Sequence, residues 1–423
     1  MSNEYILVKQ SLSLAGQSCL VGAKNAVLPI MASLILTQGK NILQNVPNSE
    51  DVRQMIKLLS DLGAVVVFKP EANYLEVDTT NLSSFDVKQE IMNKMRASIL
   101  VMGPLLAKFG KANVAMPGGC LIGARPIDFH LKGFKKMGVN IEENGYYLNA
   151  HIDNKSRANR LILEYPSVGA TENLVMLAVL SQGTTEIINA ALEPEVLDFL
   201  DVLTEMGAKI IFRPPATILV EGVANLKAIN HKIIPDRLEA GALLLAASIT
   251  GGRINLPEAR ADHMDLFLEK LTEMGHIINI GQNNVGVELI ATKHPIAVSF
   301  KTGPFPGFPT DLQAPMMAVQ CLADGTSYIE ETVFENRLLH VTELEKMGAS
   351  IKVNGSKVIV EGVKELKGIP VVATDIRASC ALVLAGLVAN GDTQISGINH
   401  WRRGYDKLED KLTKLGANIV ILG

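Results

Sequence analysis

At 423 residues, the chain exceeds what one hydrophobic core normally supports and has the length of two or three domains. Hydrophobic residues make up 48% and charged residues 20%, which excludes a disordered or collagen-like polymer. Forty Lys and Arg against 44 Asp and Glu leave a formal charge of -4, so no bulk basic field draws in nucleic acid or an anionic lipid surface.

The opening EYILVKQSLSLAGQSCLV reads as strands and has neither the basic start nor the apolar run of a secretory signal. Next comes KNAVLPIMASLILTQG, apolar nearly all round, as a helix buried on every side must be. Its longest apolar run, VLPIMASLIL (27–36), falls well short of the ~20 residues of a membrane span. After it, an amphipathic helix ends in LLSDLG at Gly63 and is followed by the β-branched run AVVVF. The same succession then recurs along the chain. Buried-type helices end at Gly39, Gly110, Gly183, Gly251, Gly325 and Gly391, and amphipathic ones at Gly63, Gly138, Gly207, Gly275, Gly348 and Gly416. Six copies about 70 residues apart define a repeated unit of βαβαββ type, too large for an ordinary solenoid. The reading is an α/β protein in two halves of three units each: 24–234 as one domain, and 235–423 completed by 1–23 as the other. A cleft between two such halves is the expected place for a ligand.

Chemistry enters at the starts of the buried helices. A helix N-terminus carries partial positive charge and unpaired N–H groups, so acids belong there and bases do not. Yet Lys24, Arg96, Arg237 and Arg377 all fall in a first turn. Four such placements point to an anion shared by helix ends and cations. Salt bridges to Asp236 and Asp375 are the alternative for the last two.

The second unit departs from the others in AMPGGCLIGARPID (115–128), where Cys120 sits among Gly118, Gly119 and Gly123, with Arg125 close by and Pro126 suited to begin a helix. A thiol so placed can titrate and act as proton donor or nucleophile. Cys19, Cys321 and Cys380 read instead as small buried hydrophobes. With no C-x-x-C pair, the cysteines predict free thiols and a cytoplasmic protein. In GPFPGFPTDLQAP (303–315), Asp311 opens the fifth buried helix, either as a first-turn or capping acid or as a base held by proline-rich backbone. Glu193, His400 and Trp401 read as structural. No HExxH, Cys/His cluster or Walker loop occurs, so neither a metal nor a cofactor is expected.

GAKNAVLP (22–29), MRAS (95–98), PGGCLIGARPID (117–128), SVGATEN (167–173), PDRLEAG (235–241), FPTDLQAP (308–315), TVFENR (332–337), DIRAS (375–379) and RRGYDKLEDKL (402–412) together make the chain resemble the enolpyruvyl transferases from end to end. The resemblance implies a two-domain inside-out α/β barrel. It also implies transfer of enolpyruvate from phosphoenolpyruvate to the 3′-hydroxyl of UDP-N-acetylglucosamine, in peptidoglycan synthesis, with those two small molecules as partners and neither nucleic acid nor membrane. On the same basis Lys24, Arg125 and Arg403 would hold the phosphate and carboxylate of phosphoenolpyruvate. Cys120 would protonate C3 or add to C2, and Asp311 would take the hydroxyl proton. Asn25, Arg96, Arg125, Pro126, Ile127, Asp128, Phe129, Ser167, Val168, Gly169, Asp311 and Val333 would line the nucleotide-sugar site, with Arg377 among the substrate-binding cations. The alternatives are a sister synthase acting on shikimate 3-phosphate and a silent nucleotide-sugar-binding regulator.

Overall fold

The computed structural model describes residues 4–90, 95–116 and 127–423, without the side chain of Arg96. The described chain divides into two compact units: a C-terminal unit of residues 4–21 and 235–423, and an N-terminal unit of residues 22–116 and 127–234. Each has its own apolar core. The first crossing falls after Val21, and local bonding explains why. Val21 N–H donates to the Glu239 carboxylate at 3.0 Å, and Val21 O accepts from Asp236 N at 2.9 Å. One residue later the allegiance changes. Gly22 lies so close to Asn45 O that a Cβ would stand 1.9 Å from it, and Ala23 N bonds Ile234 O at 2.8 Å.

The six buried helices of the sequence reading form, and we call them core helices in chain order. They are Lys24–Ser33, Met102–Phe109 entered through a 3-10 turn Arg96–Val101, Val168–Ala178, Arg237–Thr250, Gln313–Gln320 entered through a 3-10 turn Thr310–Leu312, and Ile376–Val388. The amphipathic partners are Glu50–Asp61, Asp128–Lys136, Pro194–Glu205, Asp265–Glu273, Val341–Lys346 and Leu408–Lys414. All twelve stop glycines have positive φ, between 66° at Gly251 and 113° at Gly39. That conformation is strained for any residue with a Cβ, so the glycine recurs wherever a unit must turn from helix to strand.

Six four-stranded sheets share one pattern. In the third unit, Arg160–Ile162 runs parallel to Thr184–Ile188, which pairs antiparallel with Thr217–Glu221, itself antiparallel to Lys209–Arg213. Registers such as Ile187↔Ile218 place apolar side chains on the core helices, and a one-residue slip would turn them outward. The chain start supplies strands to the C-terminal unit. Tyr5–Lys9 inserts between Thr393–Ser396 and Asn418–Leu422, with Ile6 opposite both Ile395 and Ile421. Ala15–Gln17 runs parallel to Arg253–Asn255.

One buried polar group predicts acid sensitivity in this unit. His276, 3% exposed, accepts the Thr292 N–H on Nδ1 at 3.1 Å, and its Nε2 lies 2.7 Å from Ser248 Oγ. Burial pushes the imidazole down from 6.5 to about 4. With a folded value below the unfolded one, the stability this group contributes is complete above pH 6.5 and drains away as pH falls towards 4. Between pH 7 and 4.5 the wild type should therefore lose about 2–3 kcal/mol more than a His276→Gln variant in urea unfolding. Equal losses would assign the acid sensitivity to other groups.

Candidate active site

In the N-terminal unit, the first core helix packs on the Arg96–Val101 turn, and that turn packs on the third core helix. Three helix starts therefore share one end of the unit. The first begins at Lys24 with no side-chain cap and no acid in its first turn. Lys24 is nevertheless paired: its Nζ lies 3.3 Å from Asp51 Oδ2, and both side chains are about nine-tenths buried. No acid stands beside Lys24 in the sequence, and this one arrives 27 residues later, near the start of Glu50–Asp61. Asn25 beside it is half-buried.

The third core helix is capped by Ser167, whose Oγ accepts from Ala170 N at 3.4 Å, with Val168 and Gly169 in the first turn. A Cβ at Gly169 would touch the His130 ring at 3.4 Å, so glycine allows the two elements to close up. Asn173 ties this end together. Its Oδ1 accepts from Gly103 N at 2.7 Å, and its Nδ2 donates to Ile99 O and lies 3.0 Å from His130 Nδ1. The Asp128–Lys136 helix follows Ile127, and Asp128 pairs with Lys132 at 3.2 Å, while Lys132 Nζ stands 5.8 Å from the centre of the Phe129 ring. Cys120, Arg125, Pro126 and the Arg96 side chain lie outside the described residues.

The C-terminal unit repeats the arrangement, with the fourth core helix packed on the Thr310–Leu312 turn and the sixth packed on the fourth and fifth. Asp311 does not act as a cap. Its Oδ1 receives Nη2 of Arg337, and its Oδ2 receives Nη2 of Arg377 at 3.0 Å. The carboxylate is 25% exposed while the two arginine side chains are 4% and 5% exposed, so buried cations orient a carboxylate that still reaches solvent. Arg377 also donates to Tyr405 Oη at 3.1 Å. Asp375 and Asp236 act as N-caps, accepting Arg377 N (2.8 Å) and Leu238 N (2.8 Å). Arg377 thus takes its ion pair from Asp311 rather than from its sequence neighbour. Arg237 reaches His263 O at 3.4 Å, with its guanidinium 5.6 Å from the centre of the Phe305 ring.

Val333 joins this group through Glu331, which is 2% exposed. Glu331 accepts from Val333 N (2.8 Å), Phe334 N (3.2 Å) and Thr310 Oγ1 (3.0 Å), fixing the 332–334 loop against the turn that carries Asp311. Arg403 is half-buried in the short helix Ile398–Gly404, and its neighbour Arg402 is spent on a bidentate pair with Glu4 at 2.9 Å. Trp401 is structural, with its indole N–H on Glu409 at 2.6 Å. Burial pushes the Cys321 and Cys380 thiols up to about 12 and about 11. Cys19 corrects the sequence reading: it is exposed, because Ser18 and Leu20 take the inward positions of an alternating segment.

Sequence reasoning missed Asp51, Arg337 and Glu331. Arg337 and Glu331 stand in or beside the TVFENR run, whereas Asp51 carries no local signal. Among the described residues, no group of three or more His, Cys, Asp or Glu could hold a metal ion, and no helix is long and apolar enough to cross a membrane.

Helix N-termini with buried cations in both units, and an oriented carboxylate in the C-terminal one, suit the binding of small anionic molecules on a sixfold α/β repeat. Comparison with known proteins narrows this. Residues 8–412 match the family described as EPSP synthase (3-phosphoshikimate 1-carboxyvinyltransferase). The chain is 47% identical to UDP-N-acetylglucosamine 1-carboxyvinyltransferase 1 of Caldanaerobacter subterraneus subsp. tengcongensis and 45% identical to UDP-N-acetylglucosamine 1-carboxyvinyltransferase of Geobacter metallireducens, in each case over 98% of both proteins. Its fold superposes on the enolpyruvyl transferase NikO from Streptomyces tendae with a TM-score of 0.90 at 21% identity, covering 99% of this chain and 98% of that one. EPSP synthase from Acinetobacter baumannii matches over the full length of both chains with a TM-score of 0.77 at 14% identity. The chain belongs to the EPSP synthase family of enolpyruvyl transferases.

Proposed function

We propose that this chain transfers the enolpyruvyl group of phosphoenolpyruvate to the 3′-hydroxyl of UDP-N-acetylglucosamine with release of phosphate, the first committed step of peptidoglycan synthesis, and does so in the cytoplasm. The observation that carries this reading is identity of 43–47% over 98% of the chain to relatives named for that transfer. The physical chemistry agrees. Phosphoenolpyruvate is a small, dense polyanion, and Lys24, Arg125 and Arg403 supply cations to it, with helix N-termini adding partial charge. Cys120 delivers a proton to C3 of the enol; in the alternative its S–H adds across the double bond, proton to C3 and sulfur to C2, and the C2–S bond breaks as the sugar oxygen takes its place. The sugar hydroxyl oxygen bonds to C2 and Asp311 orients or accepts its proton. Loss of phosphate and of a proton from C3 then restores the double bond. Ser167, Val168, Gly169, Asp128, Phe129 and Val333 receive the nucleotide sugar.

Incubation with phosphoenolpyruvate and UDP-N-acetylglucosamine should release phosphate in step with loss of both substrates. Release with shikimate 3-phosphate but not with the nucleotide sugar would overturn the reading in favour of the sister reaction, and release with neither would favour a silent binder.

Lys24 gives a sharper test. Lys24→Ala removes a cation that meets phosphoenolpyruvate in the ground and transition states alike, so the loss should appear as a raised KM for phosphoenolpyruvate with kcat much less affected. The same change takes the ammonium from Asp51, so the melting temperature should fall too. A fall in kcat at unchanged KM would place Lys24 in the chemical step instead.

A further inference from the structure

The far end of the N-terminal unit holds a second feature. There the C-terminal ends of its three core helices converge on a cavity of about 730 Å³, within the range of small-molecule sites. The apolar part of its lining is Leu36, Leu106 and Leu180 from the three helix ends, with Leu226 and Ile152 beside them. Its charged lining residues are all lysines, Lys108, Lys155 and Lys227. No acid lines the cavity, in a chain where acids outnumber bases 44 to 40.

Helix C-termini ordinarily attract cations, so the lysines could simply answer exposed carbonyls. For Lys155 and Lys227 the hydrogen bonds argue otherwise. Thr37 Oγ1 donates to Leu34 O (2.8 Å), Gly110 N to Leu106 O (3.0 Å) and Ser181 Oγ to Leu177 O (2.9 Å), so each helix end already has a donor. Lys108 is itself committed, donating to Thr37 O at 2.6 Å. Lys155 and Lys227 are exposed and form no ion pair among the described residues. The repeat offers an internal control. Val223–Lys227 and Val363–Lys367 occupy equivalent places, their first and last N–H groups bonding Val179 O and Met206 O in one unit and Cys321 O and Met347 O in the other. Where the C-terminal unit has Glu365, this unit has Asn225.

We propose that this cavity binds a small amphipathic anion, its apolar body on these leucines and its carboxylate or phosphate head paired with Lys155 and Lys227. The site uses none of the residues assigned to enolpyruvyl transfer and stands independently of that assignment.

Titrating the full chain with octanoate, decanoate, decyl phosphate and octanol, followed by ligand-observed NMR and calorimetry, tests the proposal. Binding should saturate at one molecule per chain. Decanoate should bind about fifteenfold more tightly than octanoate, since each of its two extra buried methylenes gives roughly fourfold. Joint Lys155→Ala and Lys227→Ala replacement should weaken decanoate and decyl phosphate about tenfold while leaving octanol unaffected, and the tighter of the two anions identifies the head group. Leu180→Trp should block all of them by filling the apolar part. The lysine variant, which changes only exposed side chains, keeps the test sound if the tryptophan variant fails to fold. Non-saturating binding, equal affinity for octanoate and decanoate, or indifference to loss of both lysines would each overturn the proposal.

Discussion

Asp311→Asn should lower turnover by about 10²–10⁴-fold while leaving nucleotide-sugar affinity within about threefold. The substitution keeps shape and size, so what it removes is the carboxylate. A capping acid would tolerate the change almost silently, because Asn caps about as well as Asp. The geometry already sets capping aside, since both Asp311 oxygens are engaged by guanidinium groups of Arg337 and Arg377 and the N-cap position of the turn belongs to Pro309. An amide in that place turns a donor towards one arginine, so the melting temperature should fall along with turnover. Arg337→Gln separates the two effects: it loosens the carboxylate without removing it, and its kcat should fall less than that of Asp311→Asn. Steady-state kinetics of the two variants, with calorimetric titration of the nucleotide sugar, give the answer. Near-normal kcat in Asp311→Asn would remove the residue from the mechanism.

Cys120→Ala should be the second severe variant, down by about 10²–10⁴-fold, because it deletes the only thiol placed among glycines beside a cation. Cys120→Asp should retain part of the activity, since a carboxylic acid can still donate a proton. On the resemblance to the family, the epoxide fosfomycin, a small anion, should alkylate Cys120 and should leave Cys120→Asp unmodified. The exposure of Cys19 shapes the experiment: labelling belongs in a Cys19→Ser background, where Cys321 and Cys380 are the remaining thiols and both are buried. Mass spectrometry that finds the adduct on another cysteine, or none, would contradict the assignment.

The repeat was legible because its signals are local. A stop glycine, an apolar helix and a β-branched run each lie within a dozen residues, and the twelve glycines do adopt the conformation that only glycine takes easily. The cations at the core-helix starts were legible for the same reason, being out of keeping with helix electrostatics over a single turn. Their partners were not. Asp51 reaches Lys24 across 27 positions, and Arg377 passes over the adjacent Asp375 to pair with Asp311, 66 positions away. The adjacent acid looked like the natural partner, but capping geometry claims its oxygen for backbone N–H groups first. Cys19 was misread because residue type suggested burial, whereas the alternation of an extended segment decided it.

The placement of Tyr5–Lys9 bears on how the molecule is made. Tyr5–Lys9 is made before any of residues 22–234, whereas both of its flanking strands, Thr393–Ser396 and Asn418–Leu422, are made after them. Residues 22–234 can collapse on their own core as they appear, since domains generally fold as units during synthesis. Tyr5–Lys9 meanwhile waits with both edges unpaired while residues 10–392 are made, a state that invites association with other chains. A chain cut ahead of Asn418 would leave Tyr5–Lys9 without one of its two flanking strands.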